Sequence, residues 1–180
     1  LAELSRQNYY GMLAIELEQG EVAKDPVPTI RDGKKYIDEI THYKDWEEIL
    51  VQGGNGRFNK HGWNHYGPGY FELDHKTGVL KSKLGMGLFW YAKKMLGNFT
   101  LDLEFMVDQE RSNSGIFLRI PSMPHDNYYV GHSFEVQIYH PGDGIHRTGA
   151  IYDAEPPITN ATKGAGEWNH YSITFKGDKI

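Results

Sequence analysis

From residue 45 onwards the chain is a succession of short β-type runs separated by turns. Runs such as "YFELD", "FTLDLEFMV", "SGIFLRI" and "FEVQIYH" are rich in aromatic and β-branched residues, and Gly, Asn, Asp and Pro stand between them. In "FTLDLEFMV" apolar side chains alternate with acidic or hydroxyl ones, as in a strand with one buried face. Short strands with a turn roughly every ten residues predict an antiparallel β-sandwich.

The composition excludes several classes of protein. With 180 residues and a formal net charge of −5, the chain has no basic excess to attract nucleic acid or anionic lipid. It contains no cysteine, so disulfides, thiolate nucleophiles and thiolate metal sites are excluded. No apolar run is long enough to predict a transmembrane segment. The aromatic content of 13% suits a β protein whose exposed rings contact sugars.

Both ends of the sequence look cut. The chain starts at Leu1 and stops in "YSITFKGDKI", a strand followed by a turn and the start of another strand. We therefore expect that the chain's partners include the missing remainder of its own barrel and sandwich. We also expect an unpaired strand edge to make this piece poorly soluble alone. The sequence does not determine the cellular compartment of the protein, and we expect a periplasmic or secreted location in a bacterium.

Residues 1–44 predict a different kind of structure, a segment with a helix, a strand and a second helix (αβα). A helical start is followed by Gly11, and Met12 to Ile15 form a continuous apolar run like that of a parallel strand buried on both faces. "TIRDGKKYIDEI" then shows roughly helical spacing of apolar residues. Such a piece cannot bury itself alone, because a parallel strand needs neighbours.

The stretch "GMLAIELEQGEVAKDPVPTIRDGKKYIDEI" resembles the last strand and helix of xylose-isomerase-like TIM-barrel sugar isomerases and epimerases. The resemblance implies that Glu16, at the end of that strand, is a divalent-metal ligand once the rest of the barrel is present. Barrel active sites do gather at the carboxyl ends of strands, and hard cations prefer carboxylate oxygen. The alternative is that Glu16 only marks where a strand reaches solvent.

Residues 45–180 resemble the 3-keto-disaccharide (3-keto-glycoside) hydrolase domain family. The resemblance is carried, in order, by "GPGYFELDHKTGVLKS", "GMGLFWYAKKMLGNFTLDLEF", "NSGIFLRIP", "FEVQI", "TGAIYD" and "GEWNHYSITFKGDKI". It implies a concanavalin-like jelly-roll β-sandwich, incomplete at its C-terminus, with a sugar site on one sheet face. The implied substrate is an oligosaccharide or glycoside, and no cofactor is implied for the sandwich.

Arg119 is a permanent cation inside the apolar run "NSGIFLRIP". Strand alternation puts Phe117 and Arg119 on one face and, in "SFEVQIYH", puts Glu135 and Gln137 together on one face. If the two strands are neighbours with their polar faces aligned, Arg119 meets Glu135 and Gln137 in a polar cluster. The alternative is an ordinary solvent-facing ion pair, worth about 0.2–1 kcal/mol.

The ketone of a 3-keto sugar acidifies the neighbouring C2 hydrogen, so cleavage needs a base, an enolate stabiliser and an acid for the leaving group. Elimination followed by hydration, or direct hydrolysis, would then release the sugar. Glu135 or His140 is the candidate base, Arg119 the oxyanion stabiliser and Gln137 a positioning donor. Because side chains alternate along a strand, His140 should lie on the face opposite Glu135, unless the turn at Pro141 twists the end of the strand.

Further residues are candidates for binding the sugar. Trp90 and Tyr91 offer rings for stacking, although only one of two adjacent strand residues can face a cleft and core packing is the alternative for both. Asn113 precedes the strand of Arg119 and either binds hydroxyls or makes a turn. Tyr152 and Asp153, in "TGAIYD", are further candidates, and Asp153 is also a candidate second carboxylate.

The histidines do not show a metal-ligand spacing, and the sequence predicts no metal in the sandwich. Two functions of different classes remain open at this point. The first is an enzyme that cleaves 3-keto-glycosides, and the second is a non-catalytic lectin-like module fused to a metal-dependent sugar isomerase or epimerase. One fold hosts both, so only the geometry of the site discriminates between them.

Overall fold

The structure, a computed structural model, describes residues 12–17 and 46–180 and is mainly β. Within these residues, no helix is both long and apolar enough to cross a membrane. Two short 3-10 turns lie at Asn127–Gly131 and Gly144–His146. The strands are β1 Met12–Leu17, β2 Trp63–Tyr66, β3 Tyr70–Leu73, β4 Leu80–Lys83, β5 Gly87–Tyr91, β6 Phe99–Phe105, β7 Asn113–Ile120, β8 Phe134–Tyr139 and β9 Asn169–Phe175.

The largest sheet has five strands in the order β2-β5-β1-β7-β8, and every pairing in it is antiparallel. Strands β3 and β4 form a hairpin, and β6 pairs with β9 along its whole length. The prediction of a mainly β chain is therefore confirmed, and the layers are those of a β-sandwich. The jelly-roll topology stays a prediction.

The main core lies between the five-stranded sheet and the β6–β9 pair. Ile116 on β7 and Val136 on β8 are register partners and point into it, as the alternation of each strand requires. A second cluster, between β5 and the β3–β4 hairpin, extends this layer along the sheet. The buried members of the main core are Phe99, Val107, Ile116, Leu118, Val136, Ile138, Ile173 and Phe175.

The opposite face of the five-stranded sheet, called here the outer face, has its own buried cluster. Leu88, Trp90, Phe117 and Ile120 pack together there with Tyr129, which comes from the 3-10 turn Asn127–Gly131. The ring of Tyr129 meets that of Phe117 edge-on, with centroids 5.0 Å apart. The 3-10 turn is thereby fixed over the outer face of β7.

Strand β1 forms where the apolar run predicts a strand, but its predicted parallel pairing is wrong for the neighbours that the structure describes. It lies between β5 and β7 and is antiparallel to both. A continuous apolar run indicates that both faces of a strand are covered, and it carries no information about strand direction. The origin of this segment in a barrel stays a prediction, and the helices predicted around it lie outside the described residues.

The segment after β8 folds back along that strand. Gln137 N donates to Ala150 O at 3.0 Å, Tyr152 N donates to Glu135 O at 2.9 Å, and Val136 forms a bridge with Ile151. The predicted β-type run "TGAIYDA" thus pairs with the edge of β8. This pairing satisfies the backbone groups that the edge strand would otherwise expose.

Candidate functional site

Strand β7 contains a bulge at Leu118 and Arg119. Ala14 of β1 pairs with Phe117, whereas Met12 pairs with Ile120, so two steps along β1 correspond to three along β7. Arg119 has a φ of +63°, in the left-handed region that a β-strand normally avoids. One extra residue reverses the alternation of side chains beyond it. Phe117 and Ile120 consequently lie in the same outer-face cluster although they are three residues apart.

The bulge places Arg119 away from the predicted polar cluster. Its guanidinium carbon lies 4.2 Å from the ring centroid of Phe175, a member of the main core. Its Nη2 donates to Asn98 Oδ1 at 3.5 Å and to Gly177 O at 3.4 Å, next to the start of β6 and the end of β9. The expectation that Arg119 meets Glu135 and Gln137 on one face is wrong, because simple parity does not allow for an inserted residue.

Glu135 and Gln137 lie together on the outer face, and both are buried, at 7% and 2% exposure. Their register partners on β7 are Phe117 and Gly115. The alternation that grouped these two residues is therefore confirmed. A carboxylate loses hydration free energy when it is buried, so the burial of Glu135 calls for a functional or structural reason.

Gly115 makes the room for the Glu135 carboxylate. A Cβ atom at position 115 would fall far inside van der Waals contact with Oε1 of Glu135, so any side chain there would displace it. Glycine in the middle of a strand often marks a close approach of another group to the backbone. Gly115 is not among the residues predicted from the sequence, although a glycine inside the apolar run "NSGIFLRIP" is the signal that could have found it.

Gln137 is tied into the backbone around β8. Its side-chain Oε1 accepts a hydrogen bond from Ile138 N at 3.0 Å, and its main-chain oxygen accepts one from the Tyr171 hydroxyl at 2.5 Å. Burial, with a smaller contribution from the negative charge of Glu135, raises the pKa of Tyr171 well above its usual range. The Tyr171 hydroxyl therefore keeps its proton and remains a donor to the strand that carries Glu135.

His140 lies just beyond the opposite end of β8. It is separated from Glu135 by five residues, roughly 17 Å along a strand. Its Nδ1 is 3.0 Å from Thr148 Oγ1, which also accepts a hydrogen bond from Tyr139 N at 2.8 Å. Within residues 12–17 and 46–180, Nε2 of the buried His140 has no hydrogen-bond partner. The structure does not bring His140 to the Glu135 carboxylate.

The two adjacent aromatic candidates point to opposite faces of β5. Trp90 belongs to the outer-face cluster, and Tyr91 packs in the inner layer with its ring 5.5 Å from that of Trp63. Both are buried, at 5% and 2% exposure. Tyr91 thus packs in the core, the alternative that the sequence left open for both rings, whereas Trp90 contributes to the floor of the outer face, and a sugar-binding role stays a prediction.

The remaining binding candidates lie at the rims of β7 and β8. Asn113 is the first residue of β7 and pairs with Tyr139. Tyr152 is linked to Glu135 through the backbone, and its ring is 5.3 Å from that of His146. Asp153 is exposed and its carboxylate lies 3.4 Å from Nε2 of His146. The side chain of Asp153 therefore lies beside a histidine, and its role as a second carboxylate stays a prediction.

The described residues do not supply a metal site. No group of three or more His, Asp or Glu side chains is suitably placed for a metal ion in residues 12–17 and 46–180. The register neighbours of Glu16 are Leu88 and Gly115, neither of which offers a side-chain ligand. The metal role of Glu16 in a complete barrel stays a prediction, and the chemistry below uses no metal.

Two surface cavities lie away from the Glu135 carboxylate. One, of about 230 Å³, lies beside Trp63, Phe71 and Phe89. The other, of about 670 Å³, is formed by the loop around residues 53–61 together with His75. Neither cavity contains a residue of β7 or β8, the strands that carry Glu135 and Gln137.

A family model described as "3-keto-alpha-glucoside-1,2-lyase-like domain" matches residues 45–180. No curated protein and no solved structure matches the chain. The matched range includes β7, β8 and the segment that folds back along β8, and thus the whole setting of Glu135 and Gly115 apart from β1. It also extends over well more than half of the chain. By this match, the chain belongs to the family of 3-keto-alpha-glucoside-1,2-lyase-like domains.

Proposed function

We propose that this domain cleaves the glycosidic bond of 3-keto-glycosides and that Glu135 is the base that removes the C2 proton. The observation that carries the proposal is the buried Glu135 carboxylate, held over Gly115 on the outer face of the sheet. The family to which the chain belongs supports the choice of substrate class. No part of the proposed reaction needs a metal ion or a redox cofactor.

The reaction begins with transfer of the C2 proton to the Glu135 carboxylate. The electron pair of the C–H bond is delocalised onto the C3 oxygen as an enolate, because the ketone is adjacent. Collapse of the enolate forms the C1–C2 double bond and breaks the bond between C1 and the glycosidic oxygen, which takes a proton from water and leaves as a free alcohol. Glu135 gives the C2 proton up to solvent, so the carboxylate is regenerated. Addition of water across C1–C2 completes a net hydrolysis.

The surroundings of Glu135 suit a general base. A carboxylate fixed against the sheet needs little reorganisation when the proton moves, and general bases contribute rate factors of about 10²–10⁴. Backbone pairing with Tyr152 on one side and Phe117 on the other fixes the position of Glu135. Arg119 has no role on the substrate in this proposal, since its guanidinium lies in the other layer.

The test compares the full chain with Glu135→Gln on a chromogenic aryl 3-keto-glucoside and on the same glucoside without the ketone. We expect release from the keto substrate only, and a reduction of about 10²–10⁴ in kcat for Glu135→Gln. Glu104→Gln, an exposed residue of β6, is the matched control and should keep the wild-type rate.

Two results would contradict the proposal. One is wild-type turnover by a folded Glu135→Gln protein, which would remove Glu135 from the chemistry. The other is tight binding of both glucosides with no release from either, which would favour a lectin-like binding module.

A further inference from the structure

The 3-10 turn Asn127–Gly131 carries an exposed pair of stacked rings. The rings of Tyr128 and His132 are nearly parallel, at 12°, with their centroids 3.5 Å apart. Tyr128 is 51% exposed, so one side of the stacked pair is accessible to solvent. The Tyr128–His132 pair therefore offers a flat apolar surface to a molecule in solvent.

Local hydrogen bonds hold this pair in place. Asp126 Oδ1 accepts from Tyr128 N at 2.8 Å, and His132 Nδ1 lies 2.9 Å from Tyr128 O. A carbonyl can only accept, so the His132 Nδ1 must carry a proton and donate it. The backbone N of His132 also donates to Tyr129 O at 3.2 Å. A surface that is fixed before binding loses little conformational entropy when a ligand stacks on it.

The turn that carries the pair is packed on the outer face, the face that also carries Glu135. Tyr129, the neighbour of Tyr128, packs edge-on against Phe117, which is the register partner of Glu135. Paired Cα atoms in an antiparallel sheet are about 5 Å apart. Ser133, two residues before Glu135, donates its hydroxyl to Tyr129 O at 2.5 Å. The turn that presents Tyr128 is thus tied both to β7 and to the start of β8.

We propose that the Tyr128–His132 pair stacks on the leaving-group ring, the ring joined to the keto sugar through the C1 oxygen. The inference rests on the proposed function, because Glu135 fixes where C2 of the keto ring must lie. The keto ring then occupies the buried part of the outer face, and the second ring extends toward the exposed rim. One face of a pyranose ring presents C–H bonds, which pack well on an aromatic ring.

The neighbouring surface also suits a ring of this kind. Val130, two residues before His132, is 38% exposed and adds an apolar group to the turn. Asp126 and His132 supply polar groups at its edge. A ring with an apolar face and a polar circumference, such as a second sugar, fits this mixture better than a purely apolar group.

The test uses two substrates that differ only in the leaving group, a 3-keto-disaccharide and the methyl 3-keto-glucoside. For Tyr128→Ala we expect the ratio of kcat/KM for disaccharide over methyl glycoside to fall on the order of tenfold. Tyr128→Phe keeps the ring and should restore the ratio. Tyr70→Ala, another partly exposed tyrosine on the separate β3–β4 hairpin, should leave the ratio at its wild-type value.

The failure of this inference can be told apart from failure of the proposed function. An unchanged ratio in an active Tyr128→Ala protein would overturn the inference and leave the lyase proposal standing. If the wild type is inactive on both substrates, binding of methyl glucoside is measured by saturation-transfer NMR. A signal lost in Tyr128→Ala and kept in Tyr128→Phe would support the stacking site, whereas equal signals in all three would overturn it.

Discussion

Arg119 and Glu135 are buried charged residues on neighbouring strands, but their side chains lie in different surroundings. The guanidinium of Arg119 lies over Phe175 between the layers and donates to Asn98 and Gly177 O. The carboxylate of Glu135 lies on the outer face, over a glycine that leaves room for it. A buried charge whose contacts join strands of the fold is explained by stability, whereas a buried carboxylate for which a glycine of the next strand leaves space is a candidate for chemistry.

This difference predicts that substitutions near the two residues have different effects, one on activity and the other on stability. Mutations around Glu135 should remove turnover, and mutations around Arg119 should mainly lower the free energy of unfolding. Substitutions at Gly115 and Arg119 test this separation, and substitutions at Thr148 and Tyr171 test contacts that stabilise the layers around β8; the four are ordered below by the size of the effect expected.

Gly115→Ala should have the largest effect. Its methyl group would overlap Oε1 of Glu135 and displace the carboxylate, so we expect turnover of the keto substrate to fall by about 10² or more. Overpacking should also lower the free energy of unfolding by about 1–3 kcal/mol. Steady-state kinetics and urea unfolding measure the two effects.

The matched control for that substitution is Gly54→Ala, because no atom lies within 4 Å of a Cβ built at Gly54. It should leave both turnover and stability close to the wild type. A folded Gly115→Ala protein with wild-type turnover would show that the carboxylate position does not matter, and would break the distinction between the two charged residues.

Arg119→Met should have the opposite profile. Loss of the cation–π contact with Phe175 and of the two hydrogen bonds should lower the free energy of unfolding by about 1–3 kcal/mol. The kcat of the folded fraction should stay near the wild-type value. Arg119→Gly provides a second variant, since glycine tolerates the positive φ at this position.

Urea unfolding and kinetics on the same preparations decide this prediction. A loss of turnover as deep as that of Glu135→Gln, without a change in the unfolding midpoint, would place Arg119 in the reaction. The role of Arg119 as a link between β7 and the ends of β6 and β9 would then be wrong.

Thr148→Val should lower the free energy of unfolding by about 1–2 kcal/mol. The Thr148 hydroxyl accepts from Tyr139 N and contacts Nδ1 of His140, and valine can do neither. Thr100→Val, which removes an exposed hydroxyl on β6, is the control and should have a smaller effect. Equal denaturation midpoints for Thr148→Val and the wild type would show that this buried pair does not stabilise the end of β8.

Tyr171→Phe should have its clearest effect at alkaline pH. The raised pKa of folded Tyr171 means that the folded chain keeps a proton which the unfolded chain loses above about pH 10. The stability from this tyrosine is therefore fully present below pH 10 and is lost as the pH rises above it. We expect the urea midpoint of the wild type to fall more between pH 8 and pH 11 than that of Tyr171→Phe. Equal falls would show that Tyr171 does not contribute.

Much of the architecture could be predicted from the sequence because it follows from local patterns. Period-two alternation in "FTLDLEFMV" and "FEVQIYH" indicates which side chains share a face, and it grouped Glu135 with Gln137 correctly. The same rule failed at Arg119, since an inserted residue at a bulge depends on pairing with another strand and leaves little trace in the strand itself.

The other differences also come from long-range contacts. The apolar run of β1 indicated a buried strand, but its antiparallel neighbours β5 and β7 lie about 70 or more residues further along the chain. The role of Gly115 depends on a side chain of β8, and that of the Tyr128–His132 pair on the packing of Tyr129 against Phe117. Neither can be read from a single segment.

The most direct measurement is hydrogen–deuterium exchange at C2 of a 3-keto sugar that has no leaving group at C1, such as 1,5-anhydro-3-keto-glucitol. This compound has no exocyclic group at C1 to expel, and its C1–O5 bond lies within the ring, poorly aligned with the enolate. The reaction therefore stops at the enolate, and exchange at C2 in D2O reports proton abstraction. We expect the wild type and Arg119→Met to catalyse exchange and Glu135→Gln to be slower by about 10² or more. Undiminished exchange by Glu135→Gln, or loss of exchange in a stably folded Arg119→Met, would contradict the assignment of Glu135 as the base and Arg119 as a structural residue.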